Sequence, residues 1–228
     1  MKWRSLEESN SVDLRPLREI FAERKALIGK YVPDEVRAVH QGVVEQLQAD
    51  GIGQRALQAG ATVPFFELKD HTNNLVSSVD LLSHGRLVIC FFRGRWDPFC
   101  CGQLEAMNQI VAQIHATGAS LVAISPQNEQ QAFFMVDQHK LKFPLLSDMG
   151  NQVAKKFGLA YRIPNKQQEI YKRVFINLPR VNGDDSWELP IPATYIVERD
   201  ATVLYANANP DYTERPEPLD ILAALEKL

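Results

Sequence analysis

Residues 86–104, RLVICFFRGRWDPFCCGQL, constrain the chain more than any other stretch. Positions 87–92 form an unbroken apolar run, rich in β-branched and aromatic side chains, that ends shortly before Gly94. So short a run without polar alternation predicts a central strand buried on both faces of a sheet. Asp97 and Pro98 follow, a favoured N-cap and a favoured first helical residue. Leu104, Met107, Ile110, Val111 and Ile114 then recur at helical spacing. Cys100 and Cys101 therefore fall in the first turn of a helix that leaves a buried strand. Unpaired N–H groups and the helix dipole favour a thiolate there, which makes Cys100 the candidate nucleophile.

The remaining chemistry is read around that thiol. The Asp97 carboxylate either caps the helix, accepting from the N–H of Phe99 or Cys100, or handles a proton beside the sulfur. In both roles its charge raises the thiol pKa, and Arg93 and Arg95 oppose this if their side chains turn inward. Cys101 is adjacent and points about 100° away on a helix, so it reads as a packing thiol. Cys90, in mid-strand, reads as buried and inert. Trp96, Phe99, Trp187 and Tyr195 either line a groove at the thiol or belong to the core.

Before this stretch, Leu14, Leu17, Ile20, Phe21, Leu27 and Ile28 predict one amphipathic helix. Val36, Val39, Val43 and Leu47 predict a second, ending before Gly51. Residues 1–60 are thus expected as a helical extension. It packs on the core, spans a homodimer contact, or serves as a partner-binding arm. Residues 61–228 are expected as a single domain: strands near 65–68, 75–78, 87–92, 120–125 and 143–148, a stretch at 187–197 that runs into a Thr-Tyr-Ile-Val strand after Pro192, and one at 202–206. Helices are expected at 98–117, 129–139, 151–157, 166–174 and 219–225, with a helical turn around Leu81. Gly118 and Gly158 mark stops.

Composition excludes several classes. Of 228 residues, 45% are hydrophobic and 23% charged, which suits a packed globular core. A formal net charge of -3 argues against a nucleic-acid partner. No apolar run approaches a membrane span, and the N-terminus lacks an export-signal core. Three cysteines without a framework suit a reducing, cytoplasmic setting. The histidines are scattered, so neither a structural zinc nor another cofactor is expected.

Trp96-Asp97-Pro98-Phe99-Cys100 resembles the active-site loop of peroxiredoxin-like proteins of the alkyl hydroperoxide reductase/thiol-specific antioxidant (AhpC/TSA) family. In that loop an aromatic, a first Cys, Pro, an aromatic and a second Cys follow one another. Asp97 takes the place of the first Cys, and Cys100 stands at the second, the position of the peroxidatic thiol. The resemblance runs from about Ala61 to the C-terminus. It implies an α/β thioredoxin fold, a central mixed sheet with helices on both faces. It implies peroxide reduction at Cys100 with an external thiol, glutathione or a thioredoxin, as reductant. It places Arg93, Trp96, Phe99 and Pro192 around a substrate groove, with a cis bond before Pro192. Measured against true peroxiredoxins, Arg93 stands at the loop's Pro, Asp97 at its Thr, and Pro192 where a later Arg is expected. Two alternatives stay open: a thiol–disulfide exchange protein acting on disulfides, and a degenerate domain that binds a partner without catalysis.

Overall fold

The computed structural model describes residues 15–227. Strands β1 (Glu67–Asp70), β2 (Leu75–Ser77), β3 (Leu87–Phe91), β4 (Ser120–Ser125) and β5 (Leu145–Ser147) share one mixed sheet with β8 (Ala193–Val197) and β9 (Val203–Ala208). A separate ribbon pairs β6 (Ala160–Arg162) with β7 (Glu188–Pro190). The order of the large sheet is β2-β1-β5-β4-β3-β8-β9. β3 therefore runs through the interior, parallel to β4 and antiparallel to β8, and every residue of it is buried.

The pleat of β3 sends successive side chains to opposite layers. Leu87, Ile89 and Phe91 join Val153, Phe157 and Tyr195 on one face. Val88, Cys90 and Phe92 meet Leu104, Met107 and Ile114 of α5 (Pro98–Ala116) and Ile221 and Leu225 of α10 (Pro218–Lys227) on the other. α6 (Glu129–His139) contributes Ala132 and Met135 to that second layer. α4 (Ser78–His84) follows β2, and the single-turn α3 (Ile52–Arg55) precedes β1. α7 (Gln152–Lys156) ends at Gly158, whose φ of 74° and closeness to the Arg55 carbonyl oxygen leave no room for a Cβ.

Two helices precede the sheet. α1 (Leu17–Tyr31) lies against the start of α5: Phe21 meets the Phe99 ring edge-on at 5.0 Å, and the Arg24 guanidinium donates to the Pro98 carbonyl. Gly102 permits this approach, because a Cβ there would stand 3.0 Å from the Phe21 ring. The Glu217 carboxylate accepts from the first amides of α1, Leu17 and Arg18, at 2.8 and 2.9 Å. α2 (Asp34–Ala49) buries Val43 and Leu47 against the core. Leu14, named first in the expected helix, lies outside the described residues, and Leu17, Ile20, Phe21, Leu27 and Ile28 fall in α1.

Between β6 and β7 stand α8 (Asn165–Arg173) and α9 (Leu178–Asn182). The stretch 187–197 carries two strands in different sheets: β7, which was not expected, and β8, the expected strand after Pro192. Pro192, which cannot donate a ladder hydrogen bond, sits at the break. The Ile191–Pro192 bond is trans, not cis as the resemblance implied; no described peptide bond is cis. Trans is the intrinsically preferred form by about 0.5–1 kcal/mol. The Ile191 N–H donates to the Leu159 carbonyl at 2.9 Å, and the Pro192 carbonyl accepts from Asn209 at 3.1 Å, so the extended path is held on both sides. No described helix is long and apolar enough to cross a membrane.

The contact of α1 with α5 is testable. Burying a Phe that is then truncated to Ala costs about 3 kcal/mol or more. Phe21→Ala should therefore loosen α1 and raise the alkylation rate of Cys100 by about tenfold or more, with far-UV circular dichroism little changed. An unchanged alkylation rate in a folded variant would show that α1 does not cover the thiol.

Candidate active site around Cys100

β3 ends at Phe91, and residues 92–97 turn back to start α5. Trp96 folds over Gly94, where a Cβ would come within 2.5 Å of its indole nitrogen, so glycine is required at that turn. Asp97 is the N-cap, and its Oδ1 accepts from the Phe99 N–H at 2.9 Å. Cys100 is the third residue of the helix and, like Asp97, is fully buried.

Asp97 does more than cap. Its Oδ2 accepts from Arg93 Nε and Nη2, both at 2.7 Å, and from the Cys100 thiol at 3.0 Å. The Arg93 guanidinium is turned inward and stacks over Tyr212 at 3.9 Å and near Trp96 at 5.1 Å. The Arg93 backbone N–H donates to Cys100 Sγ at 3.4 Å. A second guanidinium reaches the sulfur from the segment between β9 and α10: Arg215 Nη2 lies 3.8 Å from Sγ, while its Nε donates to Gln103 Oε1 at 2.8 Å. Gln103 is buried and in turn donates to Thr194 Oγ1 at 3.2 Å.

The electrostatics follow from burial. Loss of solvent, then the Asp97 charge, pushes the Cys100 thiol up to about 11, against the opposing pull of Arg215, Arg93 and the Arg93 amide. The helix-start position was expected to give an acidic thiol, and in this closed form it does not. The Phe99 amide at the helix start is taken by Asp97. Burial also works against charge on Asp97, but Arg93 and Arg215 outweigh it and hold the carboxyl below its usual range. The group is thus a carboxylate accepting a thiol proton, flanked by two cations.

The other expected residues sort cleanly. Arg95 turns away to α6, donating to Gln131 at 3.0 Å, so only Arg93 faces the sulfur. Phe99 is buried between Phe21 and Tyr212, at 5.0 and 5.8 Å. Tyr195 packs between Phe91 and Phe157 in the opposite layer and is core. Trp96 and Trp187 join the small cluster of Ile163, Tyr171 and Leu189 beside the ribbon. Pro192 is buried at the break between β7 and β8. The Cys101 thiol donates to the Arg95 carbonyl at 3.2 Å, and burial pushes Cys90 up to about 12. None of the three cysteines is in a disulfide. Arg215 was missed by sequence reading. It lies 115 residues from Cys100 with no motif around it, and only the fold brings the two together.

The roles of Asp97 can be separated by thiolate absorbance, read as the difference between a protein and its Cys100→Ser counterpart. The wild-type midpoint is expected near pH 11. Asp97→Asn removes the repelling charge and leaves both guanidiniums, so the midpoint should fall. An unchanged or higher midpoint would overturn this electrostatic reading. The same variant leaves Arg93 buried without its carboxylate, which should cost about 3 kcal/mol of stability in denaturant unfolding.

The model of the AhpC/TSA family matches residues 59–206. A Mycobacterium tuberculosis protein named as a peroxiredoxin is 27% identical over 120 residues, 53% of this chain and 78% of its own length. Peroxiredoxin Q of the chloroplast of Sedum lineare is 32% identical over 100 residues, 44% of this chain and 53% of its own. Among solved structures, peroxidoxin BcpB of Mycobacterium tuberculosis superposes with a TM-score of 0.60 at 22% identity, covering 75% of this chain and 98% of that one. That likeness speaks for the peroxiredoxin-type thioredoxin fold. The family match spans well over half the chain and includes the loop that carries Asp97 and Cys100, so the protein belongs to the AhpC/TSA family.

Proposed function

We propose that this peroxiredoxin-like protein is a thiol peroxidase in which Cys100 is the nucleophile and Asp97 its proton acceptor. The observation that carries the reading is the single carboxylate oxygen, Asp97 Oδ2, that takes the Cys100 thiol at 3.0 Å while ion-paired to Arg93. On the family's loop pattern, Asp97 stands where the first Cys does, so the loop has exchanged a thiol partner for a base.

The chemistry runs in two stages. Sγ attacks the terminal oxygen of a hydroperoxide. The S–O bond forms, the O–O bond breaks, and the thiol proton passes by way of Asp97 Oδ2 to the departing alkoxide. The products are an alcohol and a sulfenic acid at Cys100. Arg215 and the Arg93 amide stand where they stabilise negative charge on sulfur and oxygen. The second stage needs an external thiol. It attacks the sulfenic sulfur, releases water and forms a mixed disulfide; a second thiol then restores Cys100 and leaves as disulfide. Cys101 is bonded to the Arg95 carbonyl and Cys90 lies in β3, so neither is placed to resolve Cys100. Glutathione or a thioredoxin-type dithiol fits this role, and three free cysteines suit a reducing compartment such as the cytoplasm. We read residues 1–60 as an extension of the domain formed by 61–228, since α1 covers the start of α5.

The test is direct. Peroxide consumption with a thiol reductant should be lost in Cys100→Ser. Mass spectrometry after one equivalent of hydroperoxide should find the oxidised sulfur at Cys100, as a sulfenic acid or a mixed disulfide with added thiol. An intramolecular disulfide would refute the one-thiol cycle. Unchanged consumption in Cys100→Ser would refute the peroxidase.

A further inference from the structure

The insertion between β6 and β7 holds an aromatic ring that nothing in the fold uses. α8 ends in a Schellman turn: the Ile176 N–H donates to the Tyr171 carbonyl at 2.8 Å, and the Phe175 N–H to the Lys172 carbonyl at 3.2 Å. This closure puts Phe175 in the left-handed region, with φ of 63°. Glycine or asparagine usually fills that place, because a bulky side chain is strained there. Trp187 takes a similar φ of 55°, but it packs on the cluster of Ile163, Tyr171, Leu178 and Leu189, and that burial offsets the strain. Phe175 has no such return. It is 95% exposed, and Val174 before it is 56% exposed. Ile176, the next residue, is the one that packs inward on the cluster.

The charges on the same segment have one sign. From β6 to the end of α9 the chain carries Arg162, Lys166, Lys172, Arg173 and Arg180 against a single acid, Glu169. The whole chain has a formal net charge of -3, so the positive excess is local. All five cations are exposed, and among the described residues none is in a salt bridge. Lys166, Lys172 and Arg173 stand on the outer side of α8, whose inner side buries Gln167, Ile170 and Tyr171. Asp184 and Asp185 border the segment beyond Gly183, and the Asp184 carboxylate accepts from the Ser186 amide at 2.6 Å. A folded protein partner needs an apolar interface core and about 800 Å² from each side. Between residues 160 and 182 only Val174 and Phe175 are large, apolar and exposed. A bilayer surface asks for less: one ring that enters among the headgroups, and basic side chains that face anionic lipid.

We propose that the C-terminal end of α8 docks the protein on an anionic membrane surface, with Phe175 and Val174 entering the headgroup layer and the flanking lysines and arginines holding acidic lipid. The strain at Phe175 is then offset by burial in lipid rather than in the fold. The proposal stands on the α8 closure and the charges of the insertion, and it is independent of the peroxidase reading.

Vesicle flotation of the full reduced chain tests it. The protein should bind vesicles of phosphatidylcholine with about 30% phosphatidylserine, and bind pure phosphatidylcholine vesicles at least about tenfold more weakly. Arg173→Gln should weaken binding to the anionic vesicles about fivefold. Phe175→Gly separates docking from folding. It should weaken vesicle binding about tenfold, while its denaturant midpoint stays equal or rises, because glycine accepts the left-handed conformation. Heparin, a polyanion with no apolar phase, is the control: Phe175→Gly should leave binding to it unchanged. Failure to bind the anionic vesicles overturns the proposal. So does unchanged vesicle binding in Phe175→Gly, which would leave a purely ionic surface. So does a lowered midpoint in that variant, which would give the ring a place in the fold.

Discussion

One carboxylate oxygen organises the candidate site around Cys100. Asp97 Oδ2 holds a guanidinium and a thiol at the same time, in a place with no solvent. A buried charge survives only when it is paired and hydrogen-bonded, and Asp97 answers all its needs locally. Oδ1 caps α5, and Oδ2 takes Arg93 and Cys100. This fixes the path of residues 92–97, because Arg93 can reach Asp97 only if the loop folds back over Gly94. The strand, the turn and the helix are thereby locked with the sulfur at their junction.

The same burial sets the state of the thiol. α1, through Phe21 and Arg24, and the segment between β9 and α10, through Tyr212 and Arg215, close over the start of α5. Loss of solvent is the largest cause of the raised Cys100 pKa. Uncovering the sulfur would remove that penalty and, because Arg215 belongs to the covering segment, would leave Arg93 against Asp97. Closed, the protein holds a protonated thiol.

Much of this was legible in the sequence because it is local. The apolar run at 87–92, the Asp-Pro pair and the periodic residues after it specify β3, the cap and α5 within one stretch. Gly118 and Gly158 take the positive φ expected of stops. What was not legible is non-local or depends on burial. Arg215 reaches Cys100 across the fold, and no spacing rule connects them. The helix start argues for an acidic sulfur and Asp97 against it, but the larger push comes from burial under α1 and Tyr212, which no local pattern reports. The β6–β7 ribbon was not expected, because its strands are three residues each, too short to carry a periodic signal. The resemblance misled on the bond before Pro192, which is trans.

The central claim is that Cys100 rests as a thiol whose proton is held by Asp97. Infrared spectroscopy of the reduced protein at neutral pH tests it most directly, through the S–H stretch. The account predicts a strongly hydrogen-bonded S–H band that vanishes in Cys100→Ser and shifts in Asp97→Asn. A spectrum with no band assignable to Cys100, together with a protonated carboxyl band lost in Asp97→Asn, would place the proton on the carboxylate and contradict it.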